Sequence, residues 1–128
     1  MKKLALSLLI AGSTLFANEA LMKNMHDMEN GMDYIQKGYL YNNMELIKAG
    51  VNEIQNASEI LKGIDTASYL PSNKKNMVNI AKNSARKMDD ALASMEKNLA
   101  NKEIKKSHEA YSELLTSCVM CHSIVRNW

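Results

Sequence analysis

Two cysteines and a histidine stand close together near the C-terminal end of the sequence, in the run Cys118-Val119-Met120-Cys121-His122. This C-x-x-C-H pattern is the attachment sequence of c-type haem. Residues three and four apart share one face of a helix, so both sulfurs can add to the two vinyl groups of one porphyrin. His122 follows on the same face, where its imidazole can bind the iron. The pattern predicts one covalent haem c held by Cys118, Cys121 and His122.

Three other interpretations of these residues compete with haem attachment. A thiol–disulfide redox pair is typical of a βαβ scaffold, whereas no strand-like alternation occurs in this sequence. A structural zinc ion takes four ligands, and only His26, His108 and His122 are available besides the cysteines. Neither a redox pair nor a zinc site explains a histidine directly after the second cysteine. The third interpretation is that the pattern is a chance match. A disulfide between cysteines three residues apart would constrain little of the unfolded chain.

The opposite axial position of a haem iron can be filled by methionine, whose sulfur raises the reduction potential. The first helical segment offers Met22, Met25, Met28 and Met32. Methionine at helical spacing is also common as adaptable core filler, and at most one of the four can bind the iron. The spacing places Met25 near the centre of the apolar stripe and Met22 on its flank, so periodicity leaves the choice open.

Four segments must position these residues, because apolar residues recur at spacings of three and four along most of the chain. The first segment is expected to stop at Gly38 in a left-handed conformation. The second runs from a cap at Asn43 to Gly63, the third starts at 71–72, and the fourth is capped by Asn101. The predicted fold is all-α, an antiparallel four-helix bundle with the haem attached near the C-terminus of the last helix.

Each segment has a stripe of predicted core positions. The stripes are Leu21, Met25, Met28, Met32, Ile35 and Tyr39; Met44, Ile47, Val51, Ile54 and Leu61, with Ser58 a weak spot; Met77, Ala81, Ser84, Met88, Leu92, Met95 and Leu99; and Ile104, His108, Tyr111, Leu115, Cys118, His122 and Val125. The third stripe offers several small or flexible side chains. We therefore expect something other than side chains to fill part of the interior.

The N-terminal residues are predicted to be a secretory signal peptide spanning 1–17. Two lysines precede an apolar run, and Ala17 provides a small residue for cleavage. The run is about 13 residues long, short of the ~20 that a membrane-spanning helix needs. The domain would then comprise residues 18–128, without membrane insertion, and be soluble in the periplasm, where c-type haem is attached. Loss of Lys2 and Lys3 lowers the cations from 16 to 14, against 14 acidic residues.

The composition argues against several other classes of function. Balanced charge is unlike a nucleic-acid-binding module or a disordered tail. Aromatic residues make up 5% of the chain and there is one proline, which disfavours a turn-rich β fold. No nucleophile–base pair or carboxylate dyad stands out, so we expect no enzyme activity.

The sequence resembles the class II c-type cytochromes, the cytochrome c′ family, which also place the haem motif near the C-terminus of a four-helix bundle. The likeness covers essentially residues 18–128 and is specific at the haem motif. Other matching features are Arg126 four residues after His122, Tyr111 before the first cysteine, and the pair Lys37-Gly38 closing the first helix.

This resemblance implies roles for several residues. Counting back without gaps from Lys37-Gly38 places the family's distal residue on Met22. Low-spin electron carriers of the family have an iron-binding methionine there, whereas gas-binding members have a bulky residue that does not bind. The resemblance thus implies His122 and Met22 as axial ligands, with Met25 as the alternative, and Arg126 beside the haem. One departure is Asn18, where the family commonly has an arginine.

The leading hypothesis is a periplasmic monohaem electron carrier that exchanges single electrons with redox partner proteins. The alternative is a five-coordinate cytochrome c′-like protein that binds NO or CO. A third hypothesis is a haem-free helical adhesion or scaffold module whose cysteines pair. Family members are often homodimers through helices one and two, and the sequence does not select dimer over monomer. The lysines of the third segment form a solvated face or, alternatively, a docking patch for an acidic partner.

Overall fold

The structure is a computed structural model that describes the backbone of residues 7–126 and the side chains of residues 19–126. Every regular element in this part of the chain is helical, which confirms the predicted all-α class. The elements are α1 (Ser7–Leu40), α2 (Met44–Lys62), α3 (Thr66–Tyr69), a 3₁₀ helix (Ser72–Met77), α4 (Val78–Ala100) and α5 (Ile104–Val125). The predicted signal peptide falls on residues whose side chains, and in part whose backbone, lie outside the described range.

The helices pack mainly as two pairs. Helix α1 packs along α2, α4 packs along α5, and α2 joins the pairs through contacts with α4. The long connection between α2 and α4 contains the short α3 and the 3₁₀ helix, which both contact α4. None of the helices in the described range is long and apolar enough to cross a membrane.

The turn between α1 and α2 differs from its prediction at Gly38. Helix α1 continues through Gly38 to Leu40, and the left-handed residue is Asn42, with φ 52°. Asn43 caps α2 as predicted, because its side chain accepts a hydrogen bond from the Leu46 amide at 3.1 Å. Asparagine reaches the left-handed region more readily than most residues because its short polar side chain can bond locally.

The predicted cap at Asn101 is also wrong. Asn101 ends α4, and Glu103 precedes α5 without a side-chain cap. Lys102, between them, has φ 59°. The end of α2 at Gly63 and the start of the third segment after Pro71 agree with the prediction.

Small residues let α1 and α2 approach each other closely. A Cβ atom on Gly50 would lie 2.5 Å from the Gly31 carbonyl oxygen and 2.9 Å from the Ile35 amide nitrogen. A Cβ atom on Gly38 would meet the Ile47 side chain. These glycines therefore serve the contact between the two backbones.

The first three predicted stripes are confirmed, since each of their residues is buried or packs against a buried cluster. The fourth stripe is confirmed at Tyr111 and Val125, which pack against the buried clusters, but as a whole it lies one residue away from the buried side of α5. The buried side of α5 consists of Ser107, Ala110, Leu114, Ser117 and Ile124. Most of these side chains are small, and they allow α5 to pack tightly along α4. The predicted positions Ile104 and Leu115 remain 41% and 47% exposed.

Candidate haem cavity

A cavity of about 680 Å³ lies at one end of the helix pairs. All four long helices and α3 line it, and it lies where α2 and α5 end and α4 begins. We call this region the cavity end. Its volume falls within the roughly 300–1,000 Å³ that is usual for small-molecule and cofactor sites.

One wall of the cavity is the last part of α5. Cys118, Cys121 and His122 all line it, because the i, i+3, i+4 spacing keeps them on one side of the helix. Both cysteines are free thiols and partly buried. Burial raises the pKa of Cys118 to about 11, with the nearby Cys121 adding to the effect, and burial also raises the pKa of Cys121. Both thiols are therefore protonated at neutral pH.

The His122 imidazole is kept neutral by its surroundings. Burial lowers its pKa from the usual value, and the positive charge of Arg126 lowers the pKa further. A neutral imidazole has a lone pair with which it can bind a metal. Arg126 itself also lines the cavity.

The wall opposite α5 is the methionine-rich part of α1. Met22, Met25, Met28 and Met32 all line the cavity. Met28 is 8% exposed, and both Met25 and Met32 pack against the main hydrophobic core. Met22 differs, because its side chain is 56% exposed. Three of these methionines thus have a packing role in the core, and Met22 is the member of the set with an open side chain.

Small side chains on α4 make room for the cavity. Ala81, Ser84 and Ala85 line it, and Met88 closes the wall further along the helix. Part of the expectation is confirmed, because the small side chains of the third segment leave part of the interior unfilled. The sequence signal for this cavity was the occurrence of small residues in a stripe of larger ones.

The structure also reveals wall residues that sequence reasoning missed. Tyr69 comes from α3 and Leu61 from the end of α2, and Glu29 lies among the α1 methionines. Burial raises the pKa of Tyr69. The connection 64–72 was the only long one in the sequence, but its composition did not indicate that it would reach a cavity.

Asn24 is a second feature without a sequence signal. It lies on α1 and is 2% exposed, and neither its amide nitrogen nor its amide oxygen has a hydrogen-bond partner. Buried polar groups of this kind are rare and cost stability. Its spacing from Gly31 and Gly38 places Asn24 on the side of α1 that packs against α2.

The other two histidines lie outside the cavity wall. The His26 side chain is 68% exposed and approaches Glu29 at 3.5 Å. His108 stacks edge-on against Tyr39, with ring centroids 5.5 Å apart, at the far end of the helix pairs. Within the described part of the chain, no three His, Cys, Asp or Glu side chains form a group that could hold a metal ion.

All the residues proposed from the sequence for a haem site thus border one cavity. Cys118, Cys121, His122 and Arg126 lie on α5, and the competing methionines lie on α1. Comparison with known proteins gave no significant match to a family model, a curated protein or a solved structure.

Proposed function

We propose that the cavity holds one covalently attached haem c and that the protein is a periplasmic carrier of single electrons. The observation that carries this proposal is the convergence of the attachment motif and an open methionine on one cavity of about 680 Å³. In this proposal the two helix pairs form an antiparallel four-helix bundle around the haem, with the resemblance to class II cytochromes as additional support. Export by the N-terminal signal peptide would deliver the chain to the compartment where c-type haem is attached.

The two thiols suit covalent attachment chemically. Each Cys side chain would add across a vinyl group, so the S–H bond breaks, an S–C bond forms and the hydrogen moves to the neighbouring vinyl carbon. This addition consumes neither oxidant nor reductant. It requires reduced cysteines, and Cys118 and Cys121 are both free thiols.

His122 and Met22 are the residues that would bind the haem iron. The neutral His122 imidazole lies on the same wall as the two cysteines, and Met22 lies on the opposing α1 wall. Met25 is the alternative distal ligand. We favour Met22 because Met25 packs against the core, whereas the more exposed Met22 side chain could turn toward a bound iron without leaving a core contact.

A haem bound here would supply the Fe(III)/Fe(II) couple that carries the electron. The residues of the chain would set its potential. Two uncharged ligands, an apolar methionine wall and the nearby cation of Arg126 all disfavour the more positive ferric state, and so raise the potential. Retention of His122 and Met22 as ligands in both oxidation states would keep structural rearrangement small.

The test is a comparison of Met22→Ala with Met25→Ala in haem-loaded protein. We expect the reduced wild-type protein and Met25→Ala to show sharp low-spin absorption bands and a reversible one-electron wave in voltammetry. Met22→Ala should give broad high-spin bands, because the iron loses its distal ligand, and should lower the potential. Low-spin bands that survive in Met22→Ala and disappear in Met25→Ala would assign the ligand to Met25.

The same spectra separate electron transfer from gas binding. A high-spin wild-type spectrum that does not respond to Met22→Ala, together with rapid CO binding, would overturn the electron-carrier proposal in favour of the five-coordinate NO- or CO-binding alternative. Wild-type protein without any haem absorption would favour the haem-free scaffold.

A further inference from the structure

The charge of the chain is distributed unevenly around the cavity. Residues 66–88 include five cations and no Asp or Glu. The same stretch supplies the cavity wall from Ser68 to Met88. By contrast, residues 19–33 on α1 include four acidic residues and one lysine. One side of the cavity end is therefore basic although the whole chain is nearly neutral.

A second, smaller cavity of about 260 Å³ lies on this basic side. We call it the basic groove. It lies between the end of α2, α3 and α4. Its charged wall residues are the cations Lys62, Lys82 and Arg86 and one anion, Asp89, which pairs with Lys62. It shares Leu61, Tyr69 and Ala85 with the large cavity, so one layer of side chains separates the two.

Two of the groove's cations are available to an external anion. Lys62 is already engaged, because its ammonium group lies 2.9 Å from Asp89 and 2.7 Å from Glu59. Lys82 and Arg86 are exposed and four residues apart, so they project from the same side of α4. In the described part of the chain no carboxylate lies within ion-pair distance of either.

Neighbouring cations extend this surface toward α5. Lys74, from the 3₁₀ helix, donates to the Ser123 carbonyl oxygen at 3.4 Å, beside the last turn that bears the haem motif. Lys75 donates to the Ala67 carbonyl oxygen on α3. We call Lys74, Lys75, Lys82 and Arg86 together the basic face.

We propose that the basic face docks an acidic patch of the redox partner protein, with a partner carboxylate between Lys82 and Arg86 in the basic groove. This inference rests on the proposed electron-transfer function. Complementary charge steers encounter and fixes orientation more than it adds affinity. A partner docked here would be separated from the large cavity only by the side chains of α4 and α3, which is the short path that electron transfer between proteins needs.

The test measures how fast reduced, haem-loaded protein gives up one electron to small oxidants of opposite charge. Ferricyanide carries three negative charges, and tris(phenanthroline)cobalt(III) carries three positive charges. The variant Lys82→Glu/Arg86→Glu is compared with the matched control Lys97→Glu/Lys105→Glu, which changes the net charge equally where α4 ends and α5 begins, far from the cavity. All four side chains are exposed, so the substitutions should leave the fold intact.

We expect the groove variant to slow oxidation by ferricyanide about tenfold at low salt, and to speed oxidation by the cobalt complex. The control should change either rate less than about twofold, and all differences should shrink as salt screens the charges. The reduction potential of the groove variant should stay close to that of wild type. Equal effects of the two variants, or a change in potential that accounts for the rates, would overturn the docking surface.

Anionic membranes are the other surface that could attract this face. We expect no co-sedimentation of wild-type protein with phosphatidylglycerol vesicles at about 0.15 M salt. Binding that Lys82→Glu/Arg86→Glu abolishes would assign the face to lipid and overturn the proposal. Purified protein without covalent haem would instead refute the proposed function itself, whereas loaded protein with unchanged rates refutes only the docking surface.

Discussion

The interior is packed differently at the two ends of the helix pairs. Toward the far end, which we call the closed end, large side chains are fully buried: Ile35, Met95 and Leu114 are 0% exposed. The Tyr39 hydroxyl there lies 2.5 Å from the Ser107 hydroxyl oxygen and links α1 to α5. At the cavity end the same helices surround about 680 Å³ of space.

This difference follows from residue size along the same stripes. Helix α4 presents Ala81 and Ser84 at the cavity end, but Leu92, Met95 and Leu99 toward the closed end. The closed end can therefore be stabilised by its own side chains. The cavity end, according to our proposal, is completed by a haem, and the comparison predicts that the two ends respond differently to the same kinds of change.

The largest effect is expected from Cys118→Ala/Cys121→Ala. Without covalent attachment the haem is lost, and we expect the melting temperature to fall by about 15 °C or more, equivalent to about 3 kcal/mol for a domain of this size. Hydrogen exchange should rise at the cavity end and much less near Leu114. Val119→Ala, an exposed neighbour on α5, serves as the control. Unchanged stability in the double variant would contradict a haem that is part of the core.

Truncation of Leu114 tests the closed end. Leu114→Ala should destabilise the protein by about 2–5 kcal/mol, because a fully buried leucine loses its contacts and leaves a cavity. Val125→Ala at the cavity end should cost less than about 1 kcal/mol in haem-free protein, since Val125 is only partly buried and already borders a cavity. If urea unfolding shows equal decreases in the free energy of unfolding for Leu114→Ala and Val125→Ala, the proposed difference between the two ends is contradicted.

A methyl group at Gly38 should be costly. Its Cβ atom would lie 2.8 Å from the Ile47 amide nitrogen and 3.0 Å from the Asn43 carbonyl oxygen, both of them backbone atoms. We expect Gly38→Ala to lower the free energy of unfolding by about 1–3 kcal/mol. Gly63→Ala is the matched control, because its Cβ atom would meet only the Ile60 carbonyl oxygen, at 3.4 Å. An unchanged free energy of unfolding in Gly38→Ala would show that α1 and α2 can separate easily.

Replacement of Asn24 should raise the free energy of unfolding, in contrast to Gly38→Ala. Asn24→Leu removes two unpartnered amide atoms from a buried position while keeping the number and branching of the side-chain heavy atoms. We expect the free energy of unfolding, measured with urea, to rise by about 1 kcal/mol, because an unsatisfied buried polar group is destabilising. A loss of stability would mean that a partner such as bound water satisfies the amide in solution.

The thiols at the cavity end should react slowly in haem-free protein. The pKa of Cys118 is raised from 9.0 to about 11, so its thiolate fraction below pH 9 is about a hundredfold smaller than that of an ordinary thiol. Alkylation by iodoacetamide, followed by mass spectrometry, should be slow at pH 8 and accelerate up to pH 11. Urea-unfolded protein supplies the control rate. Equally fast alkylation of folded protein at pH 8 would contradict the buried environment of Cys118.

Sequence reasoning succeeded where large apolar residues or a fixed motif carried the information. The stripes of the first three segments could be identified because leucine, isoleucine and methionine mark a buried side by their hydrophobicity. The fourth could not, because the tight contact of α5 uses Ser107, Ala110 and Ser117, which carry little hydrophobic signal. Selecting the larger apolar neighbours shifted the predicted side by one residue.

For the candidate site, too, only part of the arrangement could be predicted from the sequence. Cys118, Cys121 and His122 lie within five consecutive residues, and helical spacing alone places them together. Their approach to the methionines of α1 depends on how the two helix pairs pack, which no local pattern encodes. The contributions of Tyr69 and Leu61 were likewise invisible, because they depend on the path of the connection 64–72.

The intact mass of protein purified from the periplasm of a host with a haem-attachment system tests the central claim most directly. We predict the mass of the processed chain plus one porphyrin with its iron, with the added mass on the peptide that includes Cys118 and Cys121. The unmodified chain mass, or loss of the added mass under denaturing conditions, would contradict a covalent haem at the cavity end.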